Sequence, residues 1–179
     1  MSIDTITVFC GSSPGARSAY AEAARELGRG LARSGVRLVY GGASVGTMGV
    51  LADAALEAGG HVTGILPRAL ETREVAHTGL SRLMIVDDML DRKREMARLA
   101  DAYIVLPGGL GTFDELFEVM TATQLGLDPK RCGLVNIEGY FTPLLEAIAK
   151  VESEGFARNV DDLVTVETSV GRLLEQLLD

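Results

Sequence analysis

The 179-residue chain is 47% hydrophobic and 23% charged, enough for one buried core and unlike a disordered or membrane-embedded chain. Its formal charge of −8 argues against nucleic acid as a partner and offers a phosphate ligand no overall attraction, so any anion site has to be built locally. The chain opens without a basic segment leading into an apolar run, and no apolar run reaches the ~18 residues of a membrane helix; a cytoplasmic location and no membrane partner are expected.

Short β-branched runs alternate with longer helical stretches. "TITVFC" (5–10) predicts a strand and 18–35 a helix, with Ser18 as a candidate N-cap and Gly35 past its end. A strand at 36–42, a helix at 46–60 closed by two glycines, and a strand at 61–67 ended by Pro67 follow. Residues 68–80 are less regular and fit a crossing loop or short helix. Then come a strand (82–86), a helix (87–100), a strand (102–107), a helix (113–126), a strand (132–137), a helix (141–155), a strand (163–166) and a last helix (169–178). This alternation predicts one α/β domain over 1–179: a Rossmann-like, mostly parallel sheet flanked by helices on both faces. Ligands of such folds bind beyond the carboxyl ends of the strands. Cys10 and Cys132 lie in apolar runs and read as buried free thiols, and neither His61 nor His77 has a ligand-spaced partner, so no metal is expected.

Three strands run into glycine loops that lead into helices: "CGSSPGA" (10–16, with Gly11 and Ser12), "GGASVGTMG" (41–49, with Gly42 and Gly46) and "PGGLGT" (107–112). The crossover rule puts all three on one sheet edge. Glycine lets the backbone approach a ligand, and each helix start offers free N–H groups and partial positive charge, so the three together suit a nucleotide phosphate and ribose. None has a P-loop lysine, and no clean G-x-G-x-x-G with its following acid is present, which disfavours ATP hydrolysis and NAD binding.

Two further features carry candidate chemistry. Thr112 and Glu115 are spaced as a capping box, so Glu115 is expected to cap its helix and also to face the ligand. In "DMLDRKREMARLA", Met89, Lys93, Met96 and Ala100 share a helical face with Arg92 beside it. Arg92 and Lys93 either snorkel and pair with Asp88 or Glu95, or point two cations at an anionic ligand; Arg94 and Arg98 read as solvated.

In combination these stretches resemble the LOG family, the cytokinin riboside 5'-monophosphate phosphoribohydrolases long labelled lysine decarboxylases. "PGGLGTFDE" resembles its P-G-G-x-G-T-x-x-E signature, "VFCGSS" and "VYGGASVGTMG" its first two loops, and "DRKREM" its R-K motif, with "LPRALETREVAHTGL", "QLG" and "NIEGYF" in order along nearly the whole chain. The resemblance implies hydrolysis of the N-glycosidic bond of AMP or an N6-substituted AMP, giving a free base and ribose 5-phosphate. It implies Arg92 and Glu115 as the catalytic pair, nucleotide contacts from Glu74, Met89, Lys93, Gly108, Gly109, Leu110, Gly111, Thr112 and Thr121, no cofactor, and a homodimer. A decarboxylase would need a Schiff-base lysine, and none of Lys93, Lys130 and Lys150 has suitable surroundings. The chain departs from the family pattern at Leu90 and Asp128, where the family has histidine, and at Ala122, where it has tryptophan.

A mechanism follows in outline. Glu115 stabilises a ribose that becomes oxocarbenium-like and orients water; Arg92 steadies the phosphate or the departing purine; the amides of 109–112 hold the phosphate. The alternative is a binding module of the same fold that carries a nucleotide or nucleotide-like cofactor without cleaving it.

Overall fold

The computed structural model describes residues 3–71 and 76–178. Its strands are β1 (Thr5–Phe9), β2 (Arg37–Tyr40), β3 (Val62–Pro67), β4 (Arg82–Val86), β5 (Ala102–Val105), β6 (Arg131–Val135) and β7 (Thr165–Glu167). Its helices are α1 (Ser18–Arg33), α2 (Gly46–Glu57), α3 (Met89–Leu99), α4 (Leu110–Gln124), α5 (Thr142–Ser153) and α6 (Val170–Leu178). The strands form one sheet in the order β4-β3-β2-β1-β5-β6-β7, every pair parallel.

The period-2 alternation of side chains divides the core in two. Ile6 and Val8 of β1 and Ile104 of β5 point toward α1, α2 and α6, where they meet Ala24, Leu27, Leu51 and Leu173. Phe9 of β1 and Tyr103 and Val105 of β5 point the other way, onto Met96 of α3, Leu116 and Met120 of α4, and Ile148 of α5. A sheet covered on both faces needs strands apolar at successive positions, and β1 and β3 are buried throughout. The strand order reverses at β1/β5: the chain leaves β1 for β2 on one side, and α3 brings it back from the edge strand β4 to β5 on the other. Such a reversal opens a crevice above the two strand ends.

The structure moves three sequence expectations. Ser18 is the first helical residue of α1, not its N-cap; Arg17 occupies that position without a side-chain cap. Helix α4 starts at Leu110, three residues earlier than its apolar periodicity indicates, because Gly109 in extended conformation serves as N-cap. The strand expected at 132–137 ends at Val135, and Ile137 enters a 3-10 turn (Ile137–Gly139). The irregular 68–80 segment begins with a 3-10 turn (Arg68–Leu70), and a further turn at Val160–Asp162 precedes β7.

Candidate active site

Strands β2, β1 and β5 are neighbours, so the three glycine loops do emerge side by side at the carboxyl edge. Two threonines tie them together around Cys10 and Gly11. Thr47, in the first turn of α2, accepts from Gly11 N (2.9 Å) and has its hydroxyl 3.1 Å from Gly11 O. Thr112, in the first turn of α4, donates to Cys10 O at 3.1 Å. Gly46 shows how closely the first two loops pack: a Cβ there would sit 2.3 Å from the carbonyl carbon of Ser12, and its φ of +63° also favours glycine.

Thr112 therefore fastens two loops and caps nothing. With Gly109 as N-cap, Glu115 lies well inside α4 and no capping box exists. The carboxyl is buried, at 7% exposure. Burial raises its pKa to about 7, offset in part by the Arg92 guanidinium; Asp114 and Glu118 add to the rise and Lys93 opposes it. An acid poised near neutral pH in a crevice is suited to proton transfer or to stabilising a developing cation.

Arg92 takes the inward row of α3 together with Met96, rotated by about one residue from the stripe read in the sequence. It is 6% exposed. Neither expected partner holds it: Asp88 is the N-cap of α3, accepting from Asp91 N at 2.8 Å, and Glu95 binds Arg98. Its Nη1 faces Met89 Sδ at 3.7 Å, and its Nε has no hydrogen-bond partner among the described residues. Its Nη2 fills the space beside Gly41, where a Cβ would come within 1.9 Å of it. Among the described residues no carboxylate forms an ion pair with it, and a buried guanidinium is costly unless an anion completes it. Arg94 and Arg98 are exposed, as expected, and pair with Asp91 and Glu95.

The other expected positions divide into groups. Gly108 has intermediate exposure, while Gly109, Leu110 and Gly111 are exposed at the start of α4, and Ser12 is exposed in the first loop. Gly11, Gly42 and Thr112 are buried and shape the loops. Met89 is exposed on α3. Lys93 turns to α4 and binds Glu118 and Asp114 at 2.6 and 3.2 Å. Thr121 is exposed, six residues beyond Glu115 and about 240° around the helix from it. Glu74 lies outside the described residues.

Above the β1/β5 reversal is a cavity of about 230 Å³ whose wall includes Ser12, Gly15, Tyr20, Gly108, Gly109 and Tyr140. Neither Tyr20 nor Tyr140 is given a role by the sequence: Tyr140 lies in "NIEGYF" and Tyr20 in the first helix, away from the three loops. Tyr140 donates its hydroxyl to Gly108 O, stacks on Phe113 and meets Tyr20 edge-on. Arg92 and Glu115 are absent from that wall; Glu115 lines a separate cavity between α3 and α4 together with Lys93 and Glu118. The buried Cys10 thiol senses both charges, but burial pushes it up to about 12, which removes it as a nucleophile. Among the described residues no cluster of three or more His, Cys, Asp or Glu side chains could hold a metal ion.

Comparison with known proteins adds relatives to this geometry. Residues 48–177 match a family model described as "Possible lysine decarboxylase". The chain is 51% identical over 153 residues to the cytokinin riboside 5'-monophosphate phosphoribohydrolase of Rhodococcoides fascians, covering 85% of this chain and 77% of that protein. It is 44% identical over 174 residues to the Arabidopsis thaliana phosphoribohydrolase LOG2, covering 97% and 82%. Among solved structures, the molybdenum cofactor binding protein of Rippkaea orientalis superposes with a TM-score of 0.75 at 22% identity, over 98% of this chain and 96% of that one. The molybdenum cofactor carrier protein of Chlamydomonas reinhardtii does so with a TM-score of 0.73 at 24% identity, over 97% of each chain. At that identity these two share the fold.

Proposed function

Because the chain belongs to the LOG family of cytokinin riboside 5'-monophosphate phosphoribohydrolases, we propose that it hydrolyses the N-glycosidic bond of AMP or an N6-substituted AMP, releasing the base and ribose 5-phosphate. The observation that carries this reading is the pair on α3 and α4: a buried guanidinium whose Nε has no partner among the described residues, electrostatically coupled to a buried carboxyl whose pKa lies near 7. The pair suits a ligand that is an anion at one end and becomes a cation at its sugar.

The 5'-phosphate sits at the start of α4, where the amides of Leu110 and Gly111 and the helix dipole face open space. Ser12 adds a hydroxyl from the neighbouring loop. The ribose then lies over Glu115. As the bond to the base lengthens, positive charge grows on the ribose, and the ionised carboxylate stabilises it while orienting the attacking water. Arg92 steadies the phosphate or the purine that leaves with the bonding electrons. The water donates its hydroxyl to C1' and its proton to the base or, by way of Glu115, to solvent.

The active unit is proposed to be a homodimer. Leu110, Phe117, Leu125 and Leu127 leave an apolar row exposed along and beyond α4, with Leu110 87% and Leu127 77% accessible. Thr121, on the same outer side, would reach a nucleotide only across such an interface. The carrier alternative rests on fold likeness alone.

The test is a comparison of AMP, isopentenyl-AMP and adenosine as substrates, with free base and ribose 5-phosphate both quantified. Equimolar base and sugar phosphate from the nucleotides, with adenosine left intact, is the expected result. Nucleotide that binds and is recovered whole would contradict it.

A further inference from the structure

We propose that Lys93 is a positioning residue for this reaction, acting on Glu115 through Asp114 and Glu118 and making no contact with the nucleotide. The inference rests on the function proposed above, although its first test does not require activity. Lys93 follows Arg92 on α3, so the two side chains diverge by about 100°. Arg92 turns inward beside Gly41. Lys93 crosses to α4, where its Nζ lies 2.6 Å from Glu118 Oε2 and 3.2 Å from Asp114 Oδ2. Those carboxylates belong to the residues one before and three after Glu115, so one ammonium brackets the catalytic acid from both sides.

The bracket has a geometric and an electrostatic effect. It ties the first turns of α4 to α3, which fixes Glu115 relative to Arg92. It also balances charge in a crowded place. Arg92 and Lys93 of α3 act on Glu115, as do Asp114 and Glu118 of its own helix, and the neutral Cys10 thiol just after β1 senses it. Tyr103 of β5 and Asp128 share with Lys93, Glu115 and Glu118 the wall of a cavity of about 140 Å³ in the α3/α4 groove. Lys130 is committed to Asp128 at 2.8 Å, so among the described residues that act on Glu115, loss of Lys93 leaves Arg92 as the cation. Lys93 is itself committed: its bond to Glu118, foremost, holds the ammonium above its usual range. A lysine that bound phosphate would have to leave two carboxylates to do so.

Titration of Glu115 in the ligand-free protein tests this. Glutamate carboxyls are labelled with 13C, the Glu115 signal is assigned from Glu115→Gln, and wild type is compared with Lys93→Met and Lys93→Arg. The wild-type midpoint is expected near 7. Lys93→Met is expected to raise it by about one pH unit, the effect of removing a close opposite charge, and Lys93→Arg to restore it. An unchanged midpoint in Lys93→Met overturns the proposal. Glu118→Gln gives a second arm should Lys93→Met fold poorly: the midpoint should fall, and an unmoved one counts against the proposal.

Kinetics on AMP then separate positioning from binding. Lys93→Met should lower kcat about tenfold near pH 6, but little above about pH 8.5, with KM nearly constant. A KM raised about tenfold or more at every pH would identify Lys93 as a nucleotide contact and overturn the proposal. If wild type releases no base at all, the phosphoribohydrolase reading fails, while the titration still decides the role of Lys93.

Discussion

Glu115→Gln is expected to inactivate the protein and at the same time stabilise it. Folding moves this carboxyl from an ordinary 4.5 to about 7, mainly through burial. Between those values the folded chain keeps a proton that the unfolded chain has released. Stability therefore falls as pH rises from about 4.5 to 7 and stays lower above that window. The difference of about two and a half pH units corresponds to about 3 kcal/mol. Glutamine matches the protonated acid in shape and does not ionise, so the variant avoids this loss. At pH 8 it should be more stable by about 3 kcal/mol, and near pH 4.5 by well under 1. Urea denaturation at both pH values, at one fixed protein concentration, measures the difference. A thermal melt should show a gain of about 2–4 °C per kcal/mol at pH 8. A variant no more stable than wild type at pH 8 would refute the placement of Glu115 as a buried, costly acid.

Base release should depend on ionised Glu115, so kcat/KM is expected to rise roughly tenfold per pH unit below a midpoint near 7 and then level off; a flat profile between about pH 5.5 and 8 would remove Glu115 from the rate-limiting step. Gly41→Ala places a methyl 1.9 Å from Arg92 Nη2 and 3.0 Å from Met48 Sδ, and should lower kcat/KM by about 100-fold, the usual cost of a catalytic group misplaced by ~1 Å. Wild-type activity in that variant would show that Arg92 is not needed where it sits. Leu110→Glu combined with Phe117→Glu should convert a dimer to monomer in sedimentation velocity; an unchanged sedimentation coefficient would place the interface elsewhere.

The α/β architecture was readable because parallel strands buried on both faces leave near-continuous apolar runs, as in "TITVFC" and "AYIVLP", separated by amphipathic helices. The convergence of the three loops followed from topology alone, since β2, β1 and β5 had to be parallel. Details at helix starts were not readable. Glycine carries no side chain to mark an N-cap, so the apolar pattern placed the start of α4 at Phe113, and Thr112–Glu115 then looked like a capping box. In α3 a charged residue holds an inward position. Hydrophobic periodicity assigns such a residue to the flank, so Arg92 was read beside the stripe and not in it. Lys93 had no local signal, because its partners are 21 and 25 residues away on another helix. Tyr20 and Tyr140 meet only in three dimensions.

The central claim is that this crevice breaks the bond between base and ribose and that Glu115 is the group that does it. Its most direct test is overnight incubation of wild type and Glu115→Gln with AMP and with isopentenyl-AMP, free base being resolved by chromatography. The account predicts free base from wild type with at least one of the two nucleotides and none from the folded variant. Intact nucleotide in every wild-type reaction, or equal base from both proteins, would contradict it.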